Sequence, residues 1–231
     1  MRSFEIYEKH LTNDFECYID ESDTSPPEPN QILVEVPYMN GSYDFSDLLG
    51  TATYPDRTLT YYIDIIEGSS AKLNTKKMVL ENWLLGKPRD ILKDDVNHGY
   101  YYLAKCISIK ENDDDVYSRL EIKFKAYPFK ICEHEEGNLL WDTFNFELDV
   151  LQDTKFDVKV TKQVKIYNYS ATNITPTIIC SSDMTILKNN ITYTLKAGTT
   201  KDYRLFLDRG ENNFTVKGSG TIEFKFRKEL L

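Results

Sequence analysis

The last quarter of the chain constrains the fold most, because it consists of short runs of alternating apolar and polar residues bounded by glycine and asparagine. In the closing run, Ile222, Phe224 and Phe226 alternate with charged residues. Period-two alternation between turn residues is typical of a half-buried β-strand. The glycine-rich residues 218–220 predict a hairpin connection to the preceding run. These features predict that the final residues lie in a β-sheet.

The abundance of aromatic residues extends the β prediction to the rest of the chain. The 231 residues include sixteen Tyr and twelve Phe, and 41% of all residues are hydrophobic. Large rings pack well across the pleated surface of a sheet. A chain of this length is long enough for one large domain or two small ones. The composition therefore predicts a folded, mainly β protein rather than a disordered one.

The first half of the chain contains several predicted strands. They cover residues 4–7, 15–19, 32–36, 58–66, 100–109 and 117–127. The last two are expected to form a long hairpin whose tip is the acidic segment 111–115. Residues 21–30 contain three prolines and are expected to form a loop.

One helix is predicted over residues 70–85. Ser69 or Ser70 can cap its first turn. Gly86 and Pro88 follow the last apolar residue, and glycine followed by proline commonly ends a helix. The apolar residues that recur at helical spacing are Leu73, Leu80, Trp83 and Leu84.

The second half contains only strand-like segments, so the chain is expected to form two domains. Pro128 ends the predicted hairpin, and a charged connector follows it. Beyond the connector, short strands at regular spacing indicate a β-sandwich or jelly roll. The domains are predicted to be residues 1–131 and 132–231. The predicted strands of the second are residues 141–150, 156–167, 175–180, 184–187, 192–195 and the closing runs.

The charge of the chain argues against nucleic acid as a specific partner. The formal net charge is −9 and the pI is near 5.0, whereas nucleic-acid-binding surfaces are basic. Lys72, Lys76 and Lys77 form a local basic cluster, but they fit the outer, solvated face of the predicted helix. The acidic balance therefore indicates solubility rather than a phosphate-binding face.

Neither the first residues nor any later segment resembles a targeting or membrane-spanning sequence. The N-terminal segment has no apolar core of signal-peptide length, and no run of eighteen apolar residues occurs. The chain is therefore expected to be made in the cytoplasm without a signal peptide and not to span a membrane. Four scattered cysteines, which include no CxxC pair, are expected to be free: Cys17, Cys106, Cys132 and Cys180.

The sequence offers little for catalysis or metal binding. The three histidines, His10, His98 and His134, have no nucleophile elbow near them. Cys132 and His134 could supply two metal ligands, but no second pair lies at zinc-finger spacing. The acidic residues 113–115 lack the pattern of a calcium loop. We therefore expect no catalytic residue, no cofactor and no metal.

The two tryptophans could in principle stack on sugars. Trp83 fits the apolar face of the predicted helix, and Trp141 opens the second domain. Burial in the core is the simpler interpretation of both.

Several short motifs occur in an order that resembles a known family. They are GSYDFS at 41–46, TYPDRTL at 53–59, WLLG at 83–86, YYYLA at 100–104, FKAYPF at 124–129, FLDRGEN at 206–212, VKGSG at 216–220 and IEFKFR at 222–227. Their order and spacing are similar to those of distal tail proteins from long-tailed bacteriophages that infect Gram-positive hosts. The similarity covers nearly the full length of the chain.

This resemblance implies a structural virion protein. In that family an N-terminal, β-rich domain forms a hexameric ring that continues the tail tube, and a C-terminal galectin-like β-sandwich projects outward. The ring is the baseplate hub used in host adsorption. The implied partners are further copies of the chain, in one ring or two stacked rings, the tail tube protein, a tail-associated lysin or fibre, and receptor-binding or other baseplate proteins. The resemblance implies no catalytic residues.

The sequence leaves two other functions open. One is a monomeric carbohydrate-binding accessory module of a phage or cell-wall-acting protein, and the other is an enzyme on a jelly-roll scaffold. The long segments 21–30 and 38–53 are either contacts to a neighbouring subunit or the tail tube, or ordinary surface loops. Individual residues of a ring interface cannot be assigned from the sequence.

Overall fold

The computed structural model describes residues 2–46, 48, 52–114, 116–138, 145 and 147–231. The chain divides into two compact units, one extending to Lys130 and the other running from Ile131 to Leu230. Each unit is built mainly from antiparallel strands around its own hydrophobic core. The expected mainly β class is thereby confirmed.

The first unit contains a seven-stranded antiparallel sheet in the order β2-β1-β7-β8-β9-β6-β3. Its strands are β1 Phe4–Ile6, β2 Lys9–His10, β3 Ile19–Asp23, β6 Arg57–Ile66, β7 Asp90–Asp94, β8 Tyr100–Asp114 and β9 Tyr117–Ala126. A separate ribbon is formed by β4 Leu33–Glu35 and β5 Ser42–Asp44. The helices are α1 Leu11–Phe15 and α2 Ser70–Leu84.

Helix α2 covers one face of the seven-stranded sheet. The Ser69 side chain accepts a hydrogen bond from the Lys72 backbone and so caps the first turn. The four apolar residues predicted to share a face are all buried. On the sheet side, alternate residues of β6 enter the same core, as expected from their spacing: Leu59, Tyr61, Ile63 and Ile65.

Two predictions for the first unit are wrong in detail, and several of its short elements have no predicted counterpart. Residues 15–19 do not form a strand, because the chain is helical in α1 and pairs with β6 only from Ile19. Strand β8 does not end at residue 109 but continues to Asp114, because β9 pairs with it over that whole length. Strand β7 has no counterpart among the predicted elements, although it lies between β1 and β8.

The second unit is a sandwich of two four-stranded antiparallel sheets, and this part of the fold prediction is confirmed. One sheet has the order β11-β18-β13-β16 and the other the order β12-β17-β14-β15. The strands of the two sheets are β11 Lys155–Val158, β12 Thr161–Asn168, β13 Thr177–Cys180, β14 Met184–Lys188, β15 Ile191–Leu195, β16 Gly198–Thr200, β17 Gly210–Lys217 and β18 Gly220–Lys225. Two short strands, β10 Lys130–Cys132 and β19 Glu229–Leu230, pair with each other and belong to neither sheet of the sandwich.

Residues 218–220 do not form the predicted hairpin. Strand β17 pairs with β12 and β14, whereas β18 pairs with β11 and β13, so these residues connect the two sheets. Both glycines have positive φ, and a Cβ at Gly220 would lie 2.2 Å from the Ser181 hydroxyl oxygen. Glycine is therefore required for a tight corner rather than for a two-strand turn.

Two predicted strands of the second unit also need correction. Residues 156–167 form parts of two strands, β11 and β12, which belong to opposite sheets. The predicted strand 141–150 falls largely on residues 141–144 and 146, which lie outside the described residues. Residues 147–150 are turn and irregular structure. Within residues 156–167, the regular spacing of apolar residues continues across the point where the chain passes from one sheet to the other.

Candidate assembly surface

The segment between β3 and β6 forms a hairpin that has its own small sheet. Strands β4 and β5 pair in the register Leu33 with Asp44, Val34 with Tyr43, and Glu35 with Ser42. The connection between them includes Gly41, whose φ is +83°. This position carries the Asn-Gly turn signal of the sequence, and glycine accepts that backbone conformation at no steric cost. We refer to residues 31–46 as the arm.

Hydrogen bonds close the base of the arm. The Asn30 backbone N–H donates to the Thr53 carbonyl oxygen at 2.8 Å, and the Asn30 side-chain amide donates to the Thr53 hydroxyl at 3.1 Å. The Ile32 backbone N–H donates to the Ser46 hydroxyl at 2.9 Å, while the Phe45 N–H donates to the Ile32 carbonyl. The two ends of the hairpin are therefore held together where it leaves the sheet.

The register of the arm gives it one apolar face and one polar face. Successive strand residues point to opposite sides, so residues 32, 34 and 36 share a face with residues 43 and 45. The opposite face carries Leu33, Glu35, Ser42 and Asp44. The five side chains of the apolar face are between 40% and 55% exposed: Ile32, Val34, Val36, Tyr43 and Phe45.

The apolar face contrasts with the rest of the first unit. No residue of the arm belongs to the hydrophobic core of that unit among the described residues. A lone two-stranded hairpin is marginally stable in water, and contiguous exposed apolar side chains mark interaction sites. The arm therefore has the character of a surface that binds another protein chain.

The two segments that were predicted to be contact loops have different structures. Residues 21–23 of the first segment are part of strand β3, and only residues 24–30 form a loop. The second segment, 38–53, contains the turn of the arm and strand β5; residues 47 and 49–51 of it lie outside the described residues. The alternation of residues 32–36 predicts a strand, but it does not predict the pairing with residues 42–44.

The residues considered for catalysis and metal binding are scattered. His98 lies in the turn before β8, as expected, and the Cys132 thiol is buried. Within the described ranges, no three His, Cys, Asp or Glu side chains are grouped as metal ligands. All four cysteines are free and buried. In the part of the chain that the structure describes, no helix is long and apolar enough to cross a membrane.

One of the three helix lysines does not lie on the solvated face. Lys72 is exposed, but the Lys77 side chain is buried, and its ammonium group donates to Asp113 at 2.6 Å and also to Glu111. The Ser118 hydroxyl donates to the same Asp113 at 2.6 Å. These two hydrogen bonds, that from Lys77 first, lower the pKa of Asp113. The acidic segment therefore ties β8 to α2 and is not only a charged tip.

Trp83 lies in the core, as expected. Its indole N–H donates to the Ile6 carbonyl oxygen at 3.1 Å, and its ring stacks on Phe15 at a centroid distance of 4.4 Å. It is therefore not available to stack on a sugar. Trp141 lies outside the described residues.

Comparison with known proteins identifies the fold. No family model and no curated protein sequence matches the chain. The crystal structure of the Dit protein of phage SPP1 superposes with a TM-score of 0.70 and 15% identity over 100% of both chains. That protein is described as a paradigm of the hub adsorption apparatus in phages that infect Gram-positive bacteria.

Two structures of the phage p2 baseplate in its activated conformation, with Sr and with Ca, also match. Each has a TM-score of 0.42 and 10% identity, and the alignments cover 99% and 100% of this chain and 98% of each p2 chain. The fold assignment rests on the SPP1 protein, whose match is much closer. The resemblance seen in the sequence motifs is confirmed at the level of structure: the chain has the fold of the SPP1 distal tail protein Dit.

Proposed function

We propose that this chain is a virion structural protein that forms the distal tail ring, or baseplate hub, of a phage with a long, non-contractile tail. The observation that carries the proposal is the match to the SPP1 Dit protein over the whole length of both chains. Partial matches often reflect a shared domain with a different role, whereas here both units correspond. Fold alone does not fix function, so a second observation is needed.

The arm supplies this second observation. A ring requires the same heterologous contact to be repeated between neighbours, which means a surface on one copy that fits a different surface on the next. An apolar ribbon standing off a folded unit is suited to such a contact, because its exposed side chains gain burial only from another chain. The proposed ring is a homohexamer, either single or as two stacked rings.

The remaining roles follow from this position in the tail. The ring would join the tail tube protein to the tail-associated lysin or fibre, and the second unit would hold receptor-binding or other baseplate proteins. The chain itself would transform no substrate. The protein would be located at the tip of the tail in the virion, where it acts in host adsorption.

The mass of the purified full-length chain tests the proposal. Light scattering should give a mass near six or twelve subunits, and negative-stain images should show annular particles with a central channel. Isolated single-copy particles at every concentration would contradict it. A monomer that also binds cell-wall polysaccharide would instead support the carbohydrate-binding module.

A further inference from the structure

The arm lies within a strongly acidic stretch of the chain. Between His10 and Arg57 the sequence has ten acidic residues and no lysine or arginine. The whole chain has 37 acidic and 28 basic residues, so everything outside this stretch has 27 acidic and 28 basic residues. The net charge of −9 therefore resides in residues 11–56, and the rest of the protein is close to neutral.

Only some of these carboxylates are neutralised within the chain. Arg119 pairs with Asp20 and Glu21, and Arg89 pairs with Asp56. In contrast, Glu28 and Glu35 have no ion pair among the described residues. Asp44 accepts a hydrogen bond from the Ser46 backbone at 2.9 Å, and hydrogen bonds from the Ser46 hydroxyl and backbone lower its pKa, so it is a carboxylate at neutral pH. A partner for the arm must therefore offer apolar surface bordered by positive charge.

The first unit contains a surface of this kind on the face of its sheet opposite α2. The alternation of buried residues in β7, β8 and β9 places the intervening side chains on this open face. We define the basic face by the exposed and half-buried side chains of Ile91, Lys93, Leu103, Lys105, Ile107, Lys123 and Lys125. It combines three aliphatic residues with four lysines, and the acidic side chains of Glu5 and Glu121 lie on the same face, Glu5 opposite Lys93 in the β1–β7 register.

The lysines of the basic face are only partly neutralised. Lys123 pairs with Glu121 at 2.7 Å and Lys125 with Asp56 at 3.6 Å. Lys105 has no ion pair within the described ranges. It lies directly opposite Lys125 in the β8–β9 register, and like charges directly opposite on neighbouring strands repel. A carboxylate supplied from outside the chain would relieve this repulsion.

From this complementarity we infer that the arm of one copy binds the basic face of a neighbouring copy. The inference rests on the proposed function and specifies the contact that would join the ring. Strands in a sheet are about 5 Å apart, so a two-stranded ribbon is only about 10 Å across. Long lysine side chains can therefore reach past its edges. The apolar side of the arm covers Ile91, Leu103 and Ile107, and Glu28, Glu35 and Asp44 lie within reach of the surrounding lysines.

Cysteine cross-linking between two different full-length variants tests the contact directly. One carries Glu35→Cys and the other Lys105→Cys, and the two are mixed and treated with a short bis-maleimide. The four native cysteines are buried, and burial raises the pKa of each thiol, to about 11 for Cys106, so they contribute little background. A covalent dimer should form in the mixture and not in either variant alone. In a control mixture, Lys159→Cys in the second unit replaces Lys105→Cys.

Charge reversal gives a second readout. The double variant Lys105→Glu, Lys125→Glu should weaken self-association by about 100-fold, because like-charge contacts at an interface cost several kcal/mol. Adding Glu28→Lys and Glu35→Lys to the same chain should restore self-association. The matched control, Lys155→Glu with Lys159→Glu, removes the same charge from exposed positions in the second unit and should assemble normally.

The outcomes separate the inference from the proposed function. If the unmodified chain assembles, but no mixed cross-link forms and the Lys105 and Lys125 reversals assemble normally, the arm–face contact is wrong and the ring proposal stands. If the unmodified chain never assembles, both are wrong. Cross-linking in the mixture together with rescue by the second pair of reversals would establish the contact.

Discussion

Two β-segments of this chain both have apolar residues at every second position, but these residues are buried in one segment and exposed in the other. In the second unit, Ile222, Phe224 and Phe226 alternate with charged residues and are at most 5% exposed. In the arm, Ile32, Val34 and Val36 also recur at every second position, with Leu33 and Glu35 between them, and are at least 42% exposed. Alternation thus determines which side chains share a face of a strand, but it does not determine what covers that face. In the sandwich a second sheet covers it, and in the arm we propose that another chain does.

The largest expected effect comes from shortening a buried side chain in the closing strands of the second unit. Phe224 is fully buried and stacks on Phe214 at a centroid distance of 5.4 Å. Replacing it with alanine should lower the free energy of unfolding of the second unit by about 3–5 kcal/mol. The equivalent change in the arm, Phe45→Ala, should cost less than about 1 kcal/mol. Urea unfolding followed by circular dichroism, at protein concentrations where the chain is a monomer, measures both. Equal losses of unfolding free energy in the two variants would contradict the proposed difference between the buried and the exposed segment.

For self-association, we expect substitutions in the arm to have a larger effect than substitutions in the second unit. Val34→Asp combined with Tyr43→Asp places two charges on the apolar face of the arm and should weaken assembly at least about 100-fold, because charged groups are costly to bury at an interface. The thermal stability of the separated chain should hardly change. Sedimentation analysis over a range of concentrations provides the measurement. Thr192→Asp with Thr194→Asp on the exposed strand β15 is the control and should assemble normally.

Two glycines extend the comparison to backbone positions. Gly220 and Gly41 both have positive φ, but a Cβ at Gly220 would collide with Ser181, whereas no atom lies within 4 Å of a Cβ at Gly41. Gly220→Ala should therefore cost about 2–3 kcal/mol, and Gly41→Ala only about 1 kcal/mol from backbone strain. Denaturant midpoints of the two variants test this. A cost at Gly41 as large as that at Gly220 would mean that the arm is packed rather than free.

The smallest expected effect concerns pH. On the outer face of the sandwich, hydrogen bonds from the Tyr167 hydroxyl, Asn213 and Lys165 hold the pKa of Glu211 at about 2, below its ordinary value of 4.5. Because the folded-state pKa is lowered, the stabilisation from Glu211 is complete above pH 4.5 and is lost as the pH falls towards 2. The melting temperature of Glu211→Gln should therefore lie below that of the unmodified chain at pH 7 and approach it near pH 2.5. Asp157→Asn, at an exposed position with no described partner, should show no such convergence.

Much of the fold could be predicted from local pattern. The cap at Ser69 and the apolar spacing identified α2 within one residue, and the two-sheet sandwich followed from short strands and turn residues. The errors occurred where long-range pairing overrode local preference. Strand β8 continues through an acidic segment because β9 and Lys77 hold it there, and residues 218–220 form a corner because β17 and β18 find partners in different sheets.

The candidate assembly surface was less accessible to sequence reasoning. Residues 32–36 were identified as a strand, but their pattern is that of an ordinary buried strand, so their exposure could not be inferred. Pairing with Tyr43 and Phe45 depends on the turn geometry, and only the structure shows that the apolar residues of both strands face the same way. The absence of lysine and arginine between His10 and Arg57 is the sequence signal that distinguishes this stretch.

Removing the arm tests the central claim most directly. Because Asn30 and Thr53 are joined by hydrogen bonds, residues 31–52 can be replaced by a short glycine-serine linker without disturbing β3 or β6. Light scattering should then give the mass of a single chain where the unmodified protein forms a multi-subunit ring, with circular dichroism showing that both proteins remain folded. A folded, arm-less chain that still assembles to the mass of the unmodified protein would contradict the account.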